Sequence, residues 1–332
     1  MSIVSIIGAT TWGITIGRLL ANKGAAVAIW TRTEARAREL NKGLQQYPTN
    51  PAFIKNITFT SHSDKALHNA DFAIWAVPAQ SLRHTIQQIA NHIAPSMIHV
   101  SLAKGLEADS GKRMSEVIAE EIPDTASDQI CVLSGPNLSQ EINRGLPATS
   151  VLAAHKADIA RKAHELFHAP NFAIFTSDDI IGVELCGALK NIIALGAGMV
   201  DGLGLGDNAK ATLITFGWAE VTSLGLALGA RPASFYGLAG LGDLIATCAG
   251  PQSRNHYVGR EVASGRPLAE VKAAMSNVAE GIDTTVAAHH LATRLDLEVP
   301  IITLIYRVLF ESLPPVEITY RFKDGLKPEA SV

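Results

Sequence analysis

Short apolar runs and helical patterns alternate through the first half of the chain, whereas helical patterns alone fill the second half. Apolar runs predict strands at residues 3–7, 26–30, 72–76, 98–102, 130–133, 150–153 and 172–175. Between them, helical periodicity predicts helices at residues 13–22, 33–45, 80–91, 112–121 and 157–167. This alternation is typical of an α/β fold with a mostly parallel, doubly wound sheet. We therefore predict an α/β domain at residues 1–178, an all-helical domain at residues 179–325 and a flexible tail at residues 326–332.

Composition and charge narrow the class of protein. The 332 residues are 47% hydrophobic and 18% charged, with a net charge of −3, so we expect a large core and no basic nucleic-acid-binding face. The amino terminus lacks a basic segment ahead of an apolar run, and no apolar stretch reaches the roughly 18 residues of a membrane span. The three cysteines lie among apolar residues, as reduced core thiols do. No Cys/His spacing predicts a metal site. The sequence therefore predicts a cytoplasmic protein without nucleic-acid, membrane or metal partners.

A glycine-containing turn follows the first predicted strand. Gly8 and Gly13 bracket it, at the position where a dinucleotide-binding fingerprint joins a strand to a helix. The first glycine permits the tight turn, the last permits close packing of helix and strand, and the helix amino terminus binds the pyrophosphate. Thr10 replaces the middle glycine, and its side chain limits how closely a phosphate approaches. The turn indicates dinucleotide binding, with a plain strand–turn–helix as the alternative.

The segment after the second predicted strand bears on the choice of cofactor. Thr31-Arg32-Thr33 offers no carboxylate for a ribose 2′-hydroxyl, whereas Arg32, with Arg36 one turn further on, can accept a 2′-phosphate. The sequence therefore favours NADP(H), with NAD(H) as the second choice. The alternative is that Arg32 is a solvated loop residue.

One lysine lies within a predicted helix that is apolar on almost every side. Because burial penalises an ammonium, the pKa of Lys190 is expected to fall toward neutrality, which makes it a candidate proton donor or acceptor. Downstream, Asp243 can orient the lysine, and Arg254 with Asn255 can bind an anionic group. The simpler alternatives are a lysine that extends to the surface and an aspartate that caps a helix beginning at Leu244.

Five segments carry a family resemblance. They are SLAKGLE at residues 101–107, SGPNLS at 134–139, GALKN at 187–191, GLGDLIATC at 240–248 and SRN at 253–255. In order and separation they resemble the NAD(P)-dependent glycerol-3-phosphate dehydrogenases of the bacterial type, over about residues 4–310. The resemblance implies an N-terminal Rossmann domain, an all-helical substrate domain and a small phosphorylated substrate. It implies reversible NAD(P)H-dependent reduction of dihydroxyacetone phosphate to sn-glycerol 3-phosphate for glycerophospholipid synthesis, and it is compatible with a homodimer.

The resemblance also assigns roles to individual residues. Lys190 corresponds to the catalytic proton acceptor, and Lys104 to a lysine that contacts both cofactor and substrate. The predicted substrate-binding residues are Lys104, Gly135, Asn137, Lys190, Asp243, Thr247, Ser253, Arg254 and Asn255. The predicted cofactor-binding residues, from the glycine turn and the resemblance together, are Gly8, Thr10, Thr11, Trp12, Gly13, Arg32, Lys104, Ser139, Arg254, Val278 and Glu280.

Three residues depart from the family pattern. Thr10 replaces a glycine, Thr11 replaces a serine and keeps the hydroxyl, and Phe216 stands where many relatives carry arginine. The Thr10 side chain is expected to affect cofactor affinity. Phe216, in place of an arginine, changes the charge of the helical domain. Two other functions stay open: another two-domain β-hydroxyacid or ketopantoate-type reductase, and a non-catalytic NADPH-binding regulator. The SRN segment argues against the first, and Lys190 with Asp243 argues against the second.

Overall fold

An eight-stranded sheet forms the first half of the protein in the computed structural model, which describes residues 1–44, 56–123, 127–249, 253–275 and 277–319. The strands are β1 Ile3–Ile7, β2 Ala26–Trp30, β3 Ile57–Thr60, β4 Phe72–Trp75, β5 Ile98–Ser101, β6 Ile130–Ser134, β7 Ala148–Ala154 and β8 Phe172–Ser177. Their order is β3-β2-β1-β4-β5-β6-β7-β8. Neighbouring strands are parallel except β6 and β7, which are antiparallel. The mostly parallel sheet predicted from the sequence is confirmed.

Helices cover both faces of this sheet. They are α1 Thr11–Asn22, α2 Glu34–Leu44, α3 Ser63–Leu67, α4 Ala79–Ile89, α5 Met114–Glu121, α6 Ser139–Asn143 and α7 Ala157–Phe167. Successive residues of a strand point to opposite faces. Ile6 accordingly joins a hydrophobic cluster with α1, α2 and α7, while Ile7 joins another with α3, α4 and α5. Apolar residues at consecutive strand positions thus produce a sheet buried on both sides.

The sequence did not predict every element of this domain. Strand β3 is only Ile57–Thr60, lies at the sheet edge and has exposed or half-buried threonines, so it lacks the continuous apolar run of the central strands. The short helices α3 and α6 were also not predicted, since five residues carry too little periodicity. Residue 45, the predicted end of the second helix, and the predicted tail at 326–332 lie outside the described residues.

Strand order fixes where a ligand can bind. Strand β1 has β2 on one side and β4 on the other, so the connections leaving β1 and β4 diverge at the carboxyl ends of these strands. Open α/β sheets bind ligands in the crevice at such a switch point. Gly8, the first residue after β1, therefore lies at the expected ligand crevice.

Helices make up the rest of the described chain after β8. They are α8 Ile180–Gly202, α9 Gly206–Ala227, α10 Pro232–Tyr236, a π-helical turn Leu238–Gly242, α11 Asp243–Ala249, α12 Arg254–Ala263, α13 Leu268–Ala274, α14 Gly281–Arg294 and α15 Pro300–Phe310. The helices α9, α11, α12 and α14 surround α8. The all-helical second domain is confirmed. Its predicted start after residue 178 stays a prediction, with β8 ending at Ser177 and α8 beginning at Ile180.

Helix α8 is the centre of the helical core. Its side chains are buried almost without interruption from Ile180 to Val200, because neighbouring helices surround it. In the described part of the chain, it is the one helix long and apolar enough to cross a membrane, but 94% of its most apolar window is buried inside the protein. The same burial places Lys190 in an apolar surrounding.

Candidate active site

Lys190 lies midway along α8, and its side chain is only 6% exposed. Its Nζ donates to Asp243 Oδ1 at 2.5 Å and to Thr247 Oγ1. Asp243 is the first residue of α11 and Thr247 stands one turn later, so both face the lysine from the same side of that helix. The low exposure excludes a lysine that extends to the surface. Asp243 begins α11, one residue before the predicted helix start, and it binds the lysine directly.

Lys104 joins the same carboxylate from the Rossmann domain. Its Nζ donates to Asp243 Oδ2 at 2.8 Å and to the carbonyl oxygen of Gly135 at 2.8 Å. Asp243 therefore accepts from Lys190 on one oxygen and from Lys104 on the other. With both ammonium groups charged, the lysine cluster (Lys104, Lys190 and Asp243) carries one positive charge in excess. Such a site favours an anionic ligand, or negative charge that develops during a reaction.

The buried position changes the acidity of Lys190. Burial lowers its pKa to about 8; the Asp243 carboxylate opposes this shift, and the Lys104 ammonium adds to it. Both protonation states of Lys190 are therefore accessible near neutral pH. A group with this property can donate a proton in one direction of a reaction and accept it in the other.

A chain of amides holds this cluster in place; Asn255 was among the predicted site residues, whereas Asn191 was not. Asn191 Nδ2 donates to the carbonyl oxygen of Lys104 at 2.9 Å. Asn255 Nδ2 donates to Asn191 Oδ1 at 2.8 Å, and the Gly281 N–H donates to Asn255 Oδ1 at 3.0 Å. The chain links α8, α12, α14 and the Lys104 segment. The sequence feature that could have identified this chain is Asn191, an amide side chain in the most apolar helix. An unpaired polar group there is unfavourable, so a hydrogen-bond partner is expected.

The amino terminus of α12 lies beside these amides. Ser253 caps it, its Oγ accepting from the His256 N–H at 3.2 Å. Arg254 is the first helical residue, one position earlier than predicted, and it is exposed, whereas Asn255 is buried. A helix amino terminus together with a guanidinium is suited to bind a phosphate.

The glycine turn after β1 is tightly packed. Gly8 has φ +114°, and a Cβ there would lie 2.8 Å from the carbonyl oxygen of Ala76. A Cβ on Gly13 would lie 2.3 Å from the carbonyl oxygen of Gly8. Thr10 caps α1 in extended backbone conformation, its hydroxyl accepting from the Gly13 N–H and donating to Ala76 O at 2.9 Å. The threonine thus satisfies one helix N–H and anchors the turn to β4.

The predicted 2′-phosphate residues differ in their surroundings. Arg32 is exposed just beyond β2 and forms no ion pair with any described residue. Arg36 instead pairs with Glu39 at 2.8 Å on the surface of α2. Of these two arginines, Arg32 is therefore the one without a carboxylate partner among the described residues.

Glu280 joins the domains beside the expected ligand crevice of the sheet. Its Oε1 accepts from the N–H of Ala79, the first residue of α4, at 3.1 Å. Its buried Oε2 has no hydrogen-bond partner among the described residues, and a Cβ on Gly105 would lie 2.8 Å from it. Burial raises the pKa of Glu280 to about 7. An unsatisfied buried acceptor in this crevice fits a hydrogen-bond donor of a bound dinucleotide.

The loop after β6 contains three further predicted residues, of which Gly135 contacts the lysine cluster. Gly135 has φ +140° and approaches Ser150 of β7, and its carbonyl oxygen binds Lys104. Asn137 Oδ1 accepts from Ser150 Oγ at 2.6 Å, and Ser139 begins α6. These predicted residues lie at the carboxyl end of β6, where the sheet binds ligands.

Other predicted cofactor residues are not joined to the cluster. Among the described residues, no hydrogen bond or ion pair links the lysine cluster to Thr11, Trp12, Arg32 or Val278. The Trp12 ring packs edge-on against Phe172, with ring centroids 6.5 Å apart. Thr11 is exposed at the start of α1, and Val278 is 43% exposed ahead of α14. Their predicted roles therefore require a ligand that extends from the glycine turn to Glu280.

The described residues include free thiols but no metal-binding group. Within the described ranges, no group of three or more His, Cys, Asp and Glu side chains is placed to hold a metal ion. Cys131, Cys186 and Cys248 are free and buried, and burial raises the pKa of each thiol. The expected reduced core cysteines are therefore confirmed.

Comparison with known proteins assigns the two halves of the chain. A model of the NAD-dependent glycerol-3-phosphate dehydrogenase N-terminus matches residues 3–160, and a model of the C-terminus matches residues 179–320. A glycerol-3-phosphate dehydrogenase [NAD(P)+] of Dehalococcoides mccartyi is 51% identical over 98% of this chain and 91% of its own length.

Solved structures agree with these matches. Glycerol-3-phosphate dehydrogenase from Coxiella burnetii has a TM-score of 0.90 and 31% identity, over 98% of this chain and 99% of that one. A ketopantoate reductase from Ralstonia eutropha has a TM-score of 0.60 and 16% identity, over 96% of this chain and 100% of that one, so it shares the fold alone. The sequence resemblance is thus confirmed over nearly the whole length, and the chain belongs to the family of NAD-dependent glycerol-3-phosphate dehydrogenases.

Proposed function

We propose that this protein is an oxidoreductase that reversibly reduces dihydroxyacetone phosphate to sn-glycerol 3-phosphate with NADPH or NADH. The observation that carries the proposal is the lysine cluster, in which Asp243 accepts from Lys104 and from the buried Lys190 at the ligand-binding edge of the sheet. Family membership agrees with this chemistry. The product supplies glycerophospholipid synthesis.

Lys190 is the proposed proton donor to the carbonyl oxygen of the substrate. A ketone that accepts hydride becomes an alkoxide, so a positioned ammonium both stabilises the developing charge and supplies the proton. Because burial lowers its pKa to about 8, Lys190 gives up this proton more readily than a solvated lysine. In the reverse direction, neutral Lys190 accepts the proton of the alcohol. Thr247 and Asp243 hold the amine in position.

The phosphate of the substrate is proposed to bind at the amino terminus of α12. Arg254 supplies a guanidinium, and the capped helix end supplies backbone donors and a favourable dipole. The proposed substrate site also includes Asn255, Ser253, Asn137 and the Gly135 segment. Lys104, between this site and the cofactor crevice, adds positive charge to both.

The cofactor is proposed to bind along the glycine turn and at six further residues: Thr11, Trp12, Arg32, Ser139, Val278 and Glu280. When bound, the reduced nicotinamide supplies the hydride. The free guanidinium of Arg32 favours NADPH, because a 2′-phosphate gains an ionic partner there, although NADH stays an alternative. A cytoplasmic location and a homodimeric state are also proposed, in keeping with the family.

Initial rates with dihydroxyacetone phosphate and either NADPH or NADH test substrate and cofactor together. We expect substrate-dependent oxidation of NADPH, and a loss of about 10²–10⁴-fold for Lys190→Met, in line with the value of acid–base catalysis. Lys42→Met, an exposed lysine on α2, is the matched control and should retain full activity. No oxidation of either cofactor by the folded wild-type protein would refute the proposed function.

Binding titrations test the cofactor preference separately. Removing the charge of Arg32 in Arg32→Gln should weaken NADPH far more than NADH. Arg36→Gln is the control, because Arg36 already has Glu39 as a partner. Equal losses for both cofactors in Arg32→Gln would contradict the role given to Arg32.

A further inference from the structure

A buried carboxylate on α8 connects the catalytic helix to the Rossmann domain at a point that the proposed mechanism does not use. Glu184 is 8% exposed, although it lies on the same helix as Lys190. Its Oε1 accepts from the Ser115 N–H at 2.8 Å, and its Oε2 accepts from Ser115 Oγ at 2.5 Å and Arg113 Nη1 at 2.7 Å. The carboxylate thus lies at the amino terminus of α5, where negative charge is favourable.

Arg113 is the last residue of a loop that begins at Lys104. Leu106 and Arg113 form an antiparallel bridge, and the Glu107 N–H donates to the carbonyl oxygen of Lys112 at 3.0 Å. Residues 104–113 therefore form a loop that is closed between Leu106 and Arg113, with Lys104 two residues before the closure. Whatever fixes the Arg113 end also restricts where Lys104 can lie.

One face of α8 holds both ends of this loop. Glu184, Gly187 and Asn191 are spaced i, i+3 and i+7, which places them on one side of a helix. Glu184 binds Arg113, and Asn191 Nδ2 binds the carbonyl oxygen of Lys104. At Gly187, a Cβ would lie 2.5 Å from Ser134 Oγ and 3.6 Å from Cγ of Lys104, so a larger residue would require the helix or the Ser134 side chain to move.

From this arrangement we infer that Glu184 is a positioning residue. It fixes α8 against the 104–113 loop, so that Lys190 from the helical domain and Lys104 from the Rossmann domain both reach Asp243. The inference rests on the proposed reaction, in which Lys190 must lie within hydrogen-bond reach of the substrate oxygen. A shift of about 1 Å between catalytic group and substrate can reduce rate on the order of 10²-fold.

A positioning residue affects the rate of the reaction as well as stability, whereas a purely structural residue affects stability alone. Glu220 provides the matched control: it is also a buried glutamate that caps a helix, accepting from the N–H groups of Ile301 at 2.7 Å and Ile302 at 3.0 Å. It lies on α9 and caps α15, with no bond to the lysine cluster among the described residues. Glu184→Ala and Glu220→Ala should both lower thermal stability, but only the former should slow hydride transfer.

The experiment compares kcat, the deuterium isotope effect on kcat, NADPH affinity and hydrogen exchange in these variants. For Glu184→Ala we expect kcat to fall on the order of 10- to 100-fold. NADPH affinity should fall less than kcat, because Lys104 is one of several proposed cofactor contacts, and the isotope effect should increase, since misplaced Lys190 makes the chemical step limiting. Glu184→Gln, which keeps the shape and one acceptor, should recover most of the rate. Backbone exchange in residues 104–113 should rise in Glu184→Ala and stay at the wild-type value in Glu220→Ala.

The outcomes separate this inference from the proposed function. If wild-type protein does not turn over dihydroxyacetone phosphate, the proposed function fails, and exchange in residues 104–113 still decides the role of Glu184. Unchanged exchange in this loop, or an unchanged kcat with lowered stability alone, would overturn the inference. Should Glu184→Ala not fold, Arg113→Met and Ser115→Ala each remove one partner of the same carboxylate, and wild-type kcat in both would overturn the inference equally.

Discussion

Lys190 illustrates how a single residue acquires its chemistry from its surroundings. Burial lowers the pKa of this amine, while the carboxylate of Asp243 limits the shift and the ammonium of Lys104 adds to it. Two lysines on one carboxylate leave Lys190 less firmly protonated than a lysine in an isolated ion pair would be. The pH dependence of the reaction should report this balance.

We predict opposite pH profiles for the two directions of the reaction. Reduction requires protonated Lys190, so kcat for dihydroxyacetone phosphate should fall as pH rises through about 8. Oxidation of glycerol 3-phosphate requires the neutral amine and should rise through the same range. Rate–pH profiles in both directions measure this. In Lys104→Met, which removes the neighbouring ammonium, the midpoint should move to higher pH; a midpoint that stays in place would mean that Lys104 does not influence Lys190.

Thr10 leads to a different prediction from the one that the glycine pattern alone suggests. Its φ of −74° and ψ of 164° are open to any residue, and its hydroxyl caps α1. Thr10→Gly therefore relieves no backbone strain and removes the bonds to Gly13 and Ala76. We expect unchanged or weaker NADPH binding and a stability loss of a few tenths of a kcal/mol, as for other caps replaced by glycine. A tighter NADPH Kd in titrations would show that the side chain obstructs the pyrophosphate.

At the scale of residues, the sequence identified the chemical groups but not their connections. Lys190 and Asp243 were predictable because a lysine is unusual in so apolar a helix and an anion is needed to compensate its charge. The sharing of Asp243 by Lys104 was not predictable, since it depends on how two domains meet across 139 positions of sequence. The capping role of Thr10 was likewise hidden, because its bond to Ala76 joins residues 66 positions apart.

At the scale of elements, the contact between α8 and α12 sets the position of the helix end that is proposed to bind phosphate. A Cβ on Gly259 would lie 1.9 Å from the carbonyl oxygen of Leu195, and one on Gly198 would lie 2.0 Å from that of His256. The two helices therefore approach backbone to backbone. This close contact brings Asn255 within hydrogen-bond distance of Asn191, at 2.8 Å, and Arg254 is the residue before Asn255 at the same helix end.

Adding a methyl group at this contact should disturb both stability and substrate binding. Gly259→Ala forces α8 and α12 apart, so we expect a stability loss of about 1–3 kcal/mol, as in overpacked cores, and a raised KM for the phosphorylated substrate. Denaturant unfolding and initial rates measure the two effects. Gly43→Ala on α2 is the control: a Cβ there has nothing within 4 Å, and a helical glycine replaced by alanine should gain up to about 1 kcal/mol. Equal stability in the two variants would contradict this account.

Elements with a strong apolar signal were predictable, and elements made by tertiary contact were not. Strands β1 and β2 were located to the residue because each is an apolar run bounded by polar or small residues. Strand β3 escaped prediction because Ile57 and Phe59 alternate with threonines at an edge. The antiparallel direction of β7 also escaped, since local alternation does not reveal how the segment between β6 and β7 turns.

At the scale of the whole molecule, buried carboxylates and half-buried carboxylates paired with arginine act on stability in opposite directions. Hydrogen bonds from Arg83 lower the pKa of Glu107, so its contribution is present above the unfolded pKa and is lost as pH falls. Burial raises the pKa of Glu220 and Glu280 to about 7, above the ordinary 4.5. For these two groups the folded state binds the proton more tightly, so stability falls as pH rises from about 4.5 to about 7.

The effect of a buried carboxylate on the pH dependence of stability can be tested directly at Glu220, away from the proposed active site. Its pKa shift corresponds to a stability change on the order of 3 kcal/mol between about pH 4.5 and pH 7. Glu220→Gln does not titrate, so the free energy of unfolding should fall less steeply with pH in this range than in the wild type. Glu261→Gln is the control, because bonds from Arg266 and Arg260 lower the pKa of Glu261 and confine its effect to acidic pH. Urea unfolding of the three proteins across this range measures the slopes, and parallel slopes for Glu220→Gln and wild type would mean that Glu220 stays charged throughout.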